Sequence, residues 1–122
     1  MFNVVIAGGR DFDDYALLKS KMDSLLSARV KAEGGILVIS GGAKGADTLG
    51  EKYAEENELI IARFTPDWDR FGKAAGPKRN AEMAKAADAV VVFWDGASRG
   101  SMSMIEEAKK HDCMLRVVRY QK

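Results

Sequence analysis

The sequence predicts an α/β domain: a doubly wound, three-layer arrangement built on five parallel strands in the order 3-2-1-4-5. Three observations lead there. Short runs rich in β-branched residues recur along the chain, amphipathic helical stretches alternate with them, and the runs are almost continuously apolar. Continuous apolar character suits central parallel strands covered on both faces better than an open antiparallel sheet. Strict alternation of strand and helix requires right-handed crossovers, which place helices on both sides of the sheet.

Taken in order, the first run spans Phe2 to Ala7 and is followed by a helical stripe of Tyr15, Leu18, Met22, Leu25 and Leu26 behind the capping candidates Asp13 and Asp14. The second run, Ile36 to Ile39, leads into a helix with Ala46, Leu49 and Tyr53 on one face. The third, Leu59 to Arg63, opens a connection from Phe64 to Gly76 that exceeds the usual length of a strand-to-helix loop, a feature that more often marks a functional lid than idle chain. A helix carrying Ala81, Ala84 and Ala87 is expected after Gly76-Pro77. The fourth run, Ala89 to Trp94, precedes a helix with Met104, Ile105 and Ala108 that starts after Gly100-Ser101, and Met114 to Val118 closes the sheet.

A chain of 122 residues can bury one core and is too short for two, so residues 1–122 read as a single domain. Nineteen basic against eighteen acidic residues leave a net charge of +1, no global field for a long polyanion, so any anion recognition must be local. Cys113 is the single cysteine, the first residues lack the basic flank and long apolar run of a signal peptide, and no apolar stretch approaches the roughly 20 residues of a membrane span. A cytoplasmic protein with no membrane partner is the expectation.

In an open parallel sheet, ligands bind beyond the carboxyl ends of the strands. All four strand-to-helix loops are unusual there. The first is Gly8-Gly9-Arg10-Asp11 and the second Ser40-Gly41-Gly42-Ala43-Lys44-Gly45-Ala46-Asp47. The third holds Trp68, Arg70, Phe71 and Lys73 and ends in Gly76-Pro77-Lys78-Arg79-Asn80; the fourth is Asp95-Gly96-Ala97-Ser98-Arg99-Gly100-Ser101. A glycine turn before a helix brings backbone N–H groups close to a phosphate, and the helix start adds unpaired donors. The second loop is the best candidate cradle, with Ser40 and Asp47 available to a sugar or base. It has neither the Walker A spacing nor that of the dinucleotide dehydrogenases. Arg10, Arg70, Arg79 and Arg99 suit bidentate phosphate binding, and Trp68, Phe71 and Trp94 are candidates to stack on a base.

Together these loops, with Ala7 and Phe12 flanking the first and Trp94 the fourth, resemble the YspA/YpsA-related branch of the SLOG superfamily over almost the whole chain. That superfamily also holds the Smf/DprA DNA-processing proteins and the lonely-guy phosphoribohydrolases. The resemblance implies a Rossmann-like domain that binds nucleotide-derived ligands. The phosphoribohydrolases use an Arg at the start of the third helix, which Arg79 resembles, and a Glu in a Pro-Gly-Gly-x-Gly-Thr-x-x-Glu motif. Matching Gly100-Ser101 to Gly-Thr puts Met104 where that carboxylate belongs. A thioether can neither take a proton nor stabilise the cationic charge of a breaking N-glycosidic bond, which weakens the hydrolase reading. Glu106 and Asp95 remain as candidate acids beside Arg79. Relatives often pair through helices beside the site, so a homo-oligomer is compatible with the resemblance.

Other chemistry is sparse. His111, the one histidine, suits a contact with a helix carboxyl end, and Cys113 reads as a small buried hydrophobe. No His/Cys cluster suggests a metal site, although Asp11, Asp47 or Asp95 could hold Mg²⁺ through a bound phosphate. The leading expectation is a module that binds or senses a phosphate-bearing nucleotide or nucleotide derivative. Hydrolysis of a nucleotide N-glycosidic bond is the alternative, and single-stranded nucleic-acid binding, disfavoured by the near-neutral charge, is the third reading.

Overall fold

The computed structural model describes residues 1–27 and 34–121. Among them, five parallel strands form one sheet: β1 (Phe2–Gly8), β2 (Ile36–Ser40), β3 (Ile60–Arg63), β4 (Ala89–Trp94) and β5 (Met114–Arg119). Their order is β3-β2-β1-β4-β5, as the alternating pattern predicts. One row of paired residues crosses the whole sheet, with Val5 between Ile39 and Val90, and Ala62 and Leu115 beyond them.

Alternate residues of the central strand serve opposite faces, since successive strand side chains point to opposite sides. Val4 and Ile6 pack with Leu18, Met22 and Leu26 of α1 (Tyr15–Leu26) and with Ala46, Tyr53 and Ala54 of α2 (Ala46–Glu56). Val5 and Ala7 pack on the other face with Met83 and Ala84 of α4 (Ala75–Ala86) and with Met104, Ile105 and Ala108 of α5 (Arg99–Lys110). Val4, Val5 and Ile6 have no exposed surface, so each contributes about 1.5–3 kcal/mol of transfer free energy to a core with two sides. Asp14 caps α1, its carboxylate accepting the Leu17 N–H at 3.0 Å.

The connection after β3 departs from the expectation of a long irregular loop. It contains a one-turn helix, α3 (Trp68–Phe71), then a 3₁₀ turn over Gly72–Ala74 that runs directly into α4 at Ala75. Asp67 makes this possible by accepting the Arg70 N–H at 3.2 Å. The third long helix therefore begins before Gly76-Pro77, not after it. Proline lacks an N–H, but the first turn of a helix has no internal partner for one, so Pro77 is tolerated there.

Strand order reverses between β1 and β4, because the chain goes from β1 to β2 on one side and later returns to place β4 on the other. The carboxyl ends of these two strands diverge into loops that leave a crevice between them.

Candidate functional site

The crevice is a cleft of about 580 Å³, within the range of pockets that take small ligands. Of the predicted site residues, the first loop contributes Gly8, Gly9, Arg10 and Asp11, the second Ala43 and Asp47, and the third Trp68, Pro77, Arg79 and Asn80. The fourth contributes Asp95, Ser98, Arg99, Gly100 and Ser101, and Lys73, Gly76, Met83 and Ser103 complete the wall.

The second loop differs from the expected phosphate cradle. Three of its amides are committed to the protein itself: Gly42 N–H donates to Ser40 Oγ at 3.1 Å, Ala43 N–H to Asp47 Oδ2 at 3.1 Å, and Ala46 N–H to Gly9 O at 3.2 Å. Ser40 donates in turn to Glu51 Oε2 at 2.6 Å, and Glu51 pairs with Arg63 at 2.7 Å. Ser40, Gly41, Gly42, Gly45 and Ala46 thus brace the loop outside the cleft, and Lys44 lines a separate shallow groove beside Asp13 and Thr48. Gly45 is the keystone: its φ is +79°, and a Cβ there would sit 2.2 Å from Gly9 O.

Arg79 is anchored differently from a free surface arginine. Nη1 donates to Gly41 O at 2.8 Å and to Phe64 O at 3.4 Å, while Nε donates to Asn80 Oδ1 at 3.0 Å. Among the described residues Nη2 has no protein partner. Half-burial lowers the guanidinium's affinity for its proton, the nearby Asp47 raises it, and Arg10 lowers it. Both Arg79 Nη1 and Asp47 Oδ2 lie within 3 Å of the point a Gly41 Cβ would occupy, so only glycine leaves room for the two together. Asn80 is buried and ties α4 to α5, its amide nitrogen donating to Ser103 Oγ at 3.1 Å.

Asp47 is buried, and loss of hydration pushes its carboxyl up to about 6, against the opposing pull of the Ala43 N–H and of Arg79 and Arg10. Asp95 behaves in the opposite way. Its Oδ1 accepts the N–H groups of Ala97 and Ser98, each at 2.8 Å, and these hold it below the usual carboxylate range. It stays ionised near neutrality, so it is poorly suited to the role of acid proposed for it from sequence.

The start of α5 is where unpaired donors face the cleft. Ser98 caps the helix by accepting the Ser101 N–H at 3.4 Å, and Met102 N–H reaches Ser98 O. The amides of Arg99 and Gly100 have no partner among the described residues, and neither has Ser101 Oγ, although it is buried. Four cationic side chains, Arg10, Lys73, Arg79 and Arg99, line the cleft together with the carboxylates of Asp11, Asp47 and Asp95.

Several predicted participants lie elsewhere. Glu106 is exposed and outside the cleft, one step around α5, while Met104, at the expected carboxylate position, is 1% exposed in the core. Gly96 packs beside Arg119, whose guanidinium lies 5.3 Å from the centre of the Trp94 ring, and Trp94 Nε1 donates to Ser98 O at 3.1 Å. Trp94 thus supports the fourth loop from behind. Phe71, with Arg70 and Lys78 near its ring, faces a neighbouring groove. His111 lies 3.7 Å from Glu107, and Cys113 Sγ donates to Ala84 O at 3.3 Å.

Tyr120 was not singled out from sequence, yet its hydroxyl donates to Asp11 Oδ1 at 2.6 Å and orients that carboxylate at the cleft mouth. Its ring packs against Phe12, which stacks on Phe93. Glu51 escaped notice as well, since an acidic residue in mid-helix carries no sequence mark of the loop it braces. Among the described residues no three His, Cys, Asp or Glu side chains converge as a metal site, so Asp11, Asp47 or Asp95 would need oxygens from the ligand to hold Mg²⁺. No described helix is long and apolar enough to cross a membrane.

A parallel sheet with a cleft at its strand-order reversal, lined by glycine turns and helix starts, defines the class of Rossmann-like α/β domains. Within that class the chain belongs to the YspA, cpYpsA-related SLOG family, whose sequence model matches residues 2–71. It is 34% identical over 116 residues to the Gene 61 protein of Mycobacterium phage D29, with 90% of each chain covered. Two solved structures share its fold. DNA processing protein A (DprA) from Streptococcus pneumoniae superposes with a TM-score of 0.70 at 20% identity, covering 95% of this chain and 49% of DprA. TM1055 superposes with a TM-score of 0.65 at 21% identity, covering 94% of this chain and 72% of TM1055. The chain thus spans about half the length of DprA.

Proposed function

We propose that the cleft binds a phosphate-bearing nucleotide or nucleotide derivative, with its phosphate at the start of α5. The observation that carries this reading is the convergence, in one cleft, of the unpaired Arg99 and Gly100 amides and the orphaned Ser101 hydroxyl with Arg10, Arg79 and Arg99. The Ser101 hydroxyl is the buried group of the three, and a buried polar group without a partner costs about 1–3 kcal/mol, which an anion oxygen would relieve. Trp68, 53% exposed and lining the same cleft, offers a ring to a base. The test is thermal denaturation against nucleoside mono- and diphosphates, NAD and ADP-ribose. A ligand at 100 times its dissociation constant stabilises by about 2.7 kcal/mol, so a true ligand raises Tm by several degrees. No shift with any of these compounds would refute the reading.

Hydrolysis of a nucleotide N-glycosidic bond is a second reading, and one observation favours it: Asp47 keeps a proton into the mildly acidic range inside the cleft. Arg79 would orient the phosphate and Asp47 would protonate the departing base, a role for which neither Glu106 nor Asp95 is placed. Release of free base from a bound nucleotide at about pH 6, abolished by Asp47→Asn, supports this reading; binding without release supports the first. Nucleic acid, to which the name of DNA processing protein A points for that protein, is separated from both by salt. A polynucleotide complex weakens steeply with ionic strength, whereas a complex with one small anion changes far less.

A further inference from the structure

Asp47 has one structural duty, and a neutral residue could perform it. Its Oδ2 accepts the Ala43 N–H and so closes the second loop. An asparagine oxygen would accept the same bond without the cost of burying a charge. The other oxygen, Oδ1, has no hydrogen-bond partner among the described residues and is not sealed from the cleft. Among the described residues no guanidinium or ammonium group pairs directly with the carboxylate: Arg79 spends its Nη1 and Nε on the carbonyls of Gly41 and Phe64 and on Asn80. The charged groups that face Asp47 are Arg79 from α4, Arg10 from the first loop and Glu51 one turn further along α2, and burial outweighs the two arginines. A carboxyl group so placed is a donor at the floor of an anion-binding cleft when protonated and a repelling charge when not.

We propose that Asp47 enters ligand recognition as a neutral carboxylic acid, its Oδ1–H donating to an anionic oxygen of the ligand, so that the cleft takes up an anion and a proton together. The inference rests on the anion-binding reading above. It assigns Asp47 the role of selecting ligands that present an acceptor oxygen or ring nitrogen at that point, and it excludes a cation there. Anion affinity is linked to protonation, and by linkage the anion must in turn raise the affinity of Asp47 for its proton.

The experiment follows the side-chain carboxyl carbons by NMR during a pH titration of the whole chain, with and without sodium sulfate at matched ionic strength. Sulfate serves as the probe because it remains a dianion across the range. One midpoint near 6, missing in Asp47→Asn, is expected, and sulfate should raise it by about half a unit or more. Sulfate should also protect wild-type protein against thermal unfolding more at about pH 5.5 than at about pH 8, and Asp47→Asn should lose most of that difference. Sulfate protection with no midpoint above 5, or with a midpoint that sulfate leaves unmoved, overturns the proton coupling and spares the anion site. Absence of any sulfate effect on stability or on the carboxyl and amide signals overturns both. The wild-type titration decides the matter even if the variant folds poorly.

Discussion

The second and fourth loops look alike in sequence, each leading from a strand into a long helix through glycines and small polar residues, but they use their backbones differently. In the second, Ser40, Asp47 and Gly9 capture the N–H groups of Gly42, Ala43 and Ala46, and only Ala43 and Asp47 of the turn line the cleft. In the fourth, Asp95 and Ser98 fasten the N–H groups of Ala97, Ser98 and Ser101 but leave those of Arg99 and Gly100 open to the cleft. Glycine marks where the backbone approaches something closely. Which partner that is depends on both the pairing of each amide and the surface the loop lines.

The largest expected effect breaks the second loop. Gly45→Ala would place a methyl group 2.2 Å from Gly9 O and 2.6 Å from Arg10 O at a residue whose φ is +79°. Backbone strain and overpacking add, and the variant should lose about 3 kcal/mol or more in urea unfolding. An equivalent change at Gly100, which has open space around it and lies in the first turn of α5, should fold with nearly native stability.

Asp47→Asn is the next largest and has the opposite sign. The native carboxyl, near 6, holds a proton that the unfolded chain, near 3.8, has already released. Native stability therefore falls as pH rises through about 4 to 6, and the deficit persists above that window. The variant lacks this term, so it should be more stable than wild type by about 1–3 kcal/mol at pH 8 and lose the advantage by about pH 4. Denaturant midpoints at the two pH values measure the difference; a variant destabilised at pH 8 would show that the carboxylate strengthens the loop.

The fold was legible because its signals are repetitive. The burial of Val4, Val5 and Ile6 on two faces follows from an uninterrupted apolar run, and the helix stripe of Leu18, Met22 and Leu26 follows from its period. The four loops were legible as a group because they stand at the same edge of one sheet. Their division of labour was not, since it depends on contacts distant in sequence: Gly9 with Ala46, Arg79 with Gly41, Tyr120 with Asp11. The one-turn helix α3 was hidden by its length, because four residues carry too little periodicity to announce a helix. Met104 carries two signals that disagree: the motif match located it near the site, while its place on the apolar stripe with Ile105 and Ala108 put it in the core, where the structure has it.

Ser98→Ala sharpens the comparison by weakening the fourth loop alone. The Ser98 hydroxyl caps α5, whereas Gly45 at the corresponding position of α2 offers no side-chain cap. Its removal should lower stability by about 1 kcal/mol. Because the Trp94 Nε1 bond goes to the Ser98 carbonyl, it survives the substitution, and the emission of Trp94 in a Trp68→Phe background should stay near native. A red shift would mean that the loop had opened as a whole.

The smallest effect on folding, and the most specific for the site, is expected at Trp68. Its indole is 53% exposed on a one-turn helix that buries no residue, with the ring edge close to Gly76. Trp68→Ala should therefore change stability by no more than about 0.5 kcal/mol, as for other exposed positions. Stacking of a base on an aromatic face is worth about 1–3 kcal/mol, so affinity for a nucleotide should fall roughly 5- to 150-fold, while Trp68→Phe should recover most of it. Sulfate has no ring to stack, and its binding should be unchanged in both variants. That contrast would assign recognition of the anion to the helix start of α5, and to α3 the recognition of what the anion is attached to. Equal weakening of sulfate and nucleotide would instead make Trp68 a support for the anion site and leave the base without a platform in this cleft.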